Sequence, residues 1–354
     1  MKGLLRNHSI SLILVFSLLY QVSNILIYRN SFYGDAIKEL SAGSEFLQTK
    51  THVLIHSKFY FTTVLNALID KHFGALGVKG FHVLCFILLF FILFHIGKYI
   101  NSPTVVALAL FLFSFYPGTS LNVIANETAD IVYAVIFAFA VLVFKRTEKA
   151  FLPSILMGVA FWFKHITGVF FVGFLTYLTF NRLWKQSWHS AIGFALPPGV
   201  VWMIDPLLLR EFLDFICVNA NYDTWGQVIF KLFSTGMLPI FLMALMEFCR
   251  NRTSENALFF LIPFPYLVYA ICSRNAYSAS YIMSFCMMFL AFLLASYLLS
   301  GDNFADKKKP FLALFMAMYL AGSIVIVQKN LHYDTEVPDW VSSRAGCAES
   351  IRKR

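Results

Sequence analysis

The sequence predicts an all-α, polytopic membrane protein. Composition, the spacing of long apolar runs and the placement of basic residues each point there. Of 354 residues, 59% are hydrophobic and only 13% charged, at a mean hydropathy of +0.69. A soluble domain carries about a quarter charged residues, so a soluble globular enzyme is excluded. Disordered chains are poor in aromatic residues, whereas 18% of this one is aromatic. The formal charge of +9 would suit nucleic acid, but Lys and Arg also gather in the cytoplasmic loops of membrane proteins. Their positions decide between the two.

A helix needs about 20 apolar residues to cross the hydrocarbon core. Lys2 and Arg6 precede the first such run, at 9–28. No small-residue cleavage site follows, which predicts a retained span and not a signal peptide. The segment 29–79 is long for a connector. Within it Ala36, Leu40, Gly43 and Leu47 recur at helical spacing. Phe61, Val64, Leu65, Leu68 and Ile69 form a second stripe, opposed by Thr62, Thr63, Asn66 and Asp70. These patterns predict two amphipathic helices, at 35–48 and 58–72, lying in the membrane interface. Spans follow at 80–97, 102–119 and 128–144. The run 151–180 is long for one span and is interrupted by Lys164-His165 and Thr167-Gly168. Beyond it come spans at 190–208, 234–249, 256–272, 279–299 and 310–327. A short amphipathic helix is expected at Trp225, Val228, Ile229, Leu232 and Phe233.

Basic-residue parity resolves the interrupted run. As two short spans, it places Lys145, Arg146 and Lys149, then Arg182 and Lys185, on the side of Lys2 and Arg6. Arg250 and Arg252, and Lys307 to Lys309, fall there too. One span would divide these clusters, against the positive-inside rule. The expectation is about 11 spans with the N-terminus cytoplasmic. One transmembrane domain covers 1–327 and a short outer tail covers 328–354. The positive charge is then a topology signal, and no nucleic-acid partner is expected.

The outer side carries a sparse polar set. Asp35 stands in Phe32-Tyr33-Gly34-Asp35, where it also suits a helix N-cap. Glu127 and Asp130 open the span at 128–144, where acidic residues also complement the helix dipole. Lys164 and His165 occupy the turn between the two short spans, and a lysine there can equally snorkel. Arg274 precedes a late span. Together these groups would surround a pocket in the outer leaflet. Such chemistry suits a phosphate-containing lipid: cations hold the phosphate and a carboxylate takes a proton from the incoming nucleophile. A transporter or flippase of lipid-linked saccharides, or a polymer-assembly protein, stays open on the residues. It would want charge at the bilayer midplane, whereas almost the only intramembrane acid, Asp205, stands near the outer end of its span.

The pattern resembles the GT-C superfamily of polytopic glycosyltransferases, which includes protein O-mannosyltransferases, aminoarabinose transferases and GPI mannosyltransferases. The likeness rests on Tyr33-Gly34-Asp35 with its two loop helices, and on Asn126-Glu127-Thr128-Ala129-Asp130 running to Phe144-Lys145-Arg146. It extends to the stretch from Gly158 through Lys164-His165-Ile166-Thr167-Gly168 and, loosely, to Ser273-Arg274-Asn275-Ala276-Tyr277. The tandem acidic pair of the mannosyltransferases is absent, Asp35 standing between Gly34 and Ala36. The resemblance implies an inverting transfer of a hexose, mannose or a related sugar, from a polyprenyl-phosphate carrier. The acceptor would be a glycan, lipid or protein at the outer face. Asp35 would be the general base. Lys164 and Arg274, helped by His165, would stabilise the departing lipid phosphate, and Glu127 or Asp130 would bind acceptor or donor sugar. No metal or other cofactor is implied. Short loops favour a bacterial inner membrane over the endoplasmic reticulum.

Overall fold

The computed structural model describes residues 2–27, 60–100, 102–116, 118–119, 128–204, 206, 224–272 and 285–300. Among these residues there are twelve α-helices and no strand. They are α1 (Lys2–Ile27), α2 (Tyr60–Gly97), α3 (Pro103–Phe115), α4 (Thr128–Thr147), α5 (Phe151–Phe161) and α6 (Thr167–Phe180). After these come α7 (Trp184–Ile204), α8 (Trp225–Ser234), α9 (Met237–Arg250), α10 (Ser254–Leu261), α11 (Phe264–Cys272) and α12 (Met287–Leu299). Ile10–Ile27, Leu76–Gly97 and Ser254–Cys272 are long and apolar enough to cross a bilayer. Large apolar side chains face outward on α1, α2 and α7, among them Phe16, Leu88 and Met203. So much exposed apolar surface suits lipid and not water. The chain is an all-α integral membrane protein. The expected span at 310–327 and loop helix at 35–48 lie outside the described residues.

The break in 151–180 falls where the sequence places it, between Phe161 and Thr167. The loop helix expected at 58–72 and the span expected at 80–97 are likewise two helices, which meet within α2 at a break at Gly74. There the backbone adopts φ +68°, ψ −176°, a conformation that only glycine takes cheaply. The span expected at 256–272 is present, but its helix is interrupted between α10 and α11 around Pro263, which has no N–H to donate and whose ring crowds the preceding turn.

The helices define two ends. At one, Lys145 Nζ donates to Glu255 Oε1 at 3.1 Å and lies 5.8 Å from the Tyr99 ring centre. Tyr177 shares a hydrogen bond with Ser254 there at 2.8 Å, and Arg250 donates to Ser300 Oγ at 2.8 Å. This end gathers the basic clusters. At the other end, the Trp162 and Trp202 rings meet at 6.2 Å. Following the chain, α4 leads from the second end to the first, α5 returns, α6 descends and α7 returns again. The hairpin of two short segments therefore exists as the basic-residue parity requires.

Close backbone approach holds this layer together. Helices α5 and α7 run side by side, with Ser154 and Ser190 hydrogen-bonded at 2.6 Å. A Cβ on Gly158 would come 2.5 Å from the Phe194 carbonyl, and one on Gly193 would come 2.7 Å from that of Phe151. Lipid tails give apolar faces no reason to leave them, so small residues that admit near contact are what join membrane helices. Aromatic stacking fills the rest, as where Phe170 lies flat on Tyr266 at 5.5 Å.

Candidate functional site

Asp130 sits in the first turn of α4 and is 1% exposed. It pairs with the Lys164 ammonium, which comes from the turn between α5 and α6. The two side chains are 2% and 13% exposed. Chain length accounts for the partial burial of this lysine. As a continuous helix from Ala150, the intervening residues would place Lys164 about 21 Å along the axis, at ~1.5 Å per residue. That falls short of the ~30 Å hydrocarbon core. The turn satisfies its own backbone: Lys164 N donates to Ala160 O at 3.1 Å, and Thr167 N donates to Lys164 O at 3.1 Å. The acidic end of one helix and the basic turn of a short hairpin thus meet in an ion pair.

The loop helix packs against that turn. Thr62 Oγ1 donates to the carbonyl of Phe163 at 3.3 Å, and the Phe61 ring lies 6.3 Å from both Trp162 and Phe163. Thr62 is fully buried and Asn66 nearly so, while Phe61, Leu68 and Phe73 are exposed. The amphipathic stripe is present as the sequence predicts. Thr62 and Asn66 of its polar face are packed into the protein, and Phe61 and Leu68 of its apolar face are left for the membrane.

Of the candidate residues, the structure brings Asp130 and Lys164 together, with half-buried His165 next along the turn. Asp35, Glu127 and Arg274 lie outside the described residues. Several buried polar groups were not singled out from sequence. Lys79 is 2% and His82 1% exposed, both on α2. Lys145 ties the ends of α2 and α4 together through Tyr99. From there, at ~1.5 Å per residue, Lys79 lies about 30 Å along α2 and Asp130 about 23 Å along α4. Tyr133, one turn below Asp130, is fully buried against Phe285 at 5.1 Å. Thr167 is buried at the start of α6. The available signal was the i, i+3 spacing of Lys79 and His82 at the outer start of an apolar run, which puts both on one helix face. Ionisable side chains at this depth face the bundle interior or a cavity and mark substrate paths.

No protein family and no curated protein matches the sequence. Among solved structures, the chain is similar to ArnT from Cupriavidus metallidurans bound to undecaprenyl phosphate. The TM-score is 0.64 at 16% identity, over 88% of this chain and 64% of that one. The same protein in the apo state gives a TM-score of 0.61 at 15% identity, over 86% and 62%. The chain shares the fold of that ArnT structure. It spans less than two thirds of ArnT's length. That fold agrees with the resemblance carried by the short motifs.

Proposed function

We propose that this chain is an inverting membrane glycosyltransferase, moving a hexose from a polyprenyl-phosphate carrier to an acceptor at the outer membrane face. The observation that carries the reading is the buried Asp130–Lys164 pair, roofed by the polar face of the loop helix within a GT-C fold. The similar ArnT structure holds undecaprenyl phosphate, which supports a carrier lipid of that class as the donor's leaving group here. In this scheme Asp35 takes the proton from an acceptor hydroxyl. The hydroxyl oxygen attacks the anomeric carbon, and the bond from that carbon to the phosphate oxygen breaks. The electron pair leaves with the lipid phosphate, whose charge Lys164 and Arg274 stabilise, helped by His165. A lysine ammonium has three donors, so its pairing with Asp130 is compatible with holding a phosphate. Asp130 then orients Lys164, and Glu127 contacts acceptor or donor sugar. The acceptor is a glycan, lipid or protein, and the setting is a bacterial inner membrane with its basic end in the cytoplasm.

The test is Asp35→Asn in purified protein, assayed by release of lipid phosphate from a radiolabelled polyprenyl-phosphate hexose. Loss of a general base lowers the rate by about 10²–10⁴-fold. Undiminished transfer in that variant overturns the assignment of the base.

A further inference from the structure

A second polar site lies at the end of the bundle opposite Asp130 and Lys164. The start of α3 and the last turns of α9 and α12 surround an open cavity of about 440 Å³. Glu247, Ser102, Thr104, Ser296 and Ser300 line it. Glu247 is only 4% exposed, and its Oε2 has no hydrogen-bond partner among the described residues. A carboxylate oxygen removed from water costs free energy until a donor reaches it. Arg250 stands one turn further along α9, exposed, and donates to Ser300 Oγ at the same cavity at 2.8 Å. The cavity therefore presents a buried anion, hydroxyls around it, and a guanidinium beside it.

We infer that this cavity binds the headgroup of an aminophospholipid in the leaflet at the basic end, with the primary ammonium on Glu247 and the phosphate toward Arg250. The order of charges matches a zwitterion that carries a primary amine and a phosphodiester. A primary ammonium supplies the N–H donors that Oε2 lacks, whereas a quaternary amine has none to give. The hydroxyls of Ser102, Ser296 and Ser300 can accept the remaining ammonium protons. A divalent cation is a poorer fit, because one carboxylate among hydroxyls falls short of the oxygen ligands that Ca²⁺ or Mg²⁺ takes. The cavity opens among helix ends that also carry the basic clusters, which is where a bilayer presents its headgroups. The site is independent of the transfer reaction proposed above.

The experiment is native mass spectrometry of the full chain in detergent, offered equal amounts of phosphatidylethanolamine, phosphatidylcholine and phosphatidylglycerol. The expected result is about 10-fold greater retention of phosphatidylethanolamine, the scale of one hydrogen bond to a charged group. Glu247→Gln, nearly the same shape, abolishes that preference. Ser296→Leu, which fills the cavity and leaves the carboxylate in place, abolishes it too and decides the matter should Glu247→Gln fail to fold. Equal retention of the three lipids by the unaltered protein overturns the inference, as does an unchanged preference in folded Glu247→Gln.

Discussion

Replacing Lys164 by Met leaves the Asp130 carboxylate 2% exposed with its ammonium gone. Breaking a buried ion pair from one side costs about 3–5 kcal/mol, because the surviving charge is stranded. The first-turn position of Asp130 on α4 recovers ~0.3–1 kcal/mol through the helix dipole, so a loss of about 3 kcal/mol is expected. Asp130→Asn strands the other partner, but Lys164 is 13% exposed and has a four-carbon stem. Swinging its head toward water limits that loss to roughly 1–2 kcal/mol. Asp130→Asn combined with Lys164→Met removes both charges and costs less than Lys164→Met alone. Thermal unfolding in detergent, followed by tryptophan fluorescence, measures all three. Lys164→Met lowers the apparent Tm by about 4 °C, at ~1.3 °C per kcal/mol for 354 residues. If the loss in the double variant equals the sum of the two single losses, the pair does not couple and the reasoning fails.

Gly173→Ala is expected to destabilise by about 1–3 kcal/mol, since the new Cβ would lie 2.2 Å from the Ile262 carbonyl and 2.5 Å from that of Leu261. Gly168→Ala, whose nearest contact is the Phe161 ring at 3.5 Å, keeps the parental Tm and serves as the control. Thr62→Val removes the hydrogen bond to the Phe163 carbonyl and costs about 1 kcal/mol; release of lipid phosphate also falls, because the turn that carries Lys164 loses its brace. Cys249 and Cys272 are exposed at opposite ends of the bundle. In variants that retain only one of them, a membrane-impermeant maleimide labels Cys272 from outside and Cys249 only after the membrane is opened. Lys145→Gln costs under ~1 kcal/mol, because the partner Glu255 is 35% exposed.

The sequence by itself determined what depends on consecutive residues. Spans, the break before Thr167 and the common side of the basic clusters follow from transfer energies added along the chain. The α5–α6 hairpin was legible for that reason, through Lys145, Arg182 and Arg250 and not through any contact. Tertiary structure alone decided how each helix is rotated and at what height it stops. Lys164 and Asp130 were separate candidates in the sequence, 34 positions apart, and only the packed hairpin makes them a pair. The loop helix shows the limit most clearly. Its stripe of Phe61 and Leu68 announced two faces, yet Thr62 and Asn66 are the ones turned inward. In water the apolar face seeks the core. In lipid that face is equally well solvated by the acyl chains, so the polar face, needing hydrogen-bond partners, is the one that turns toward the protein.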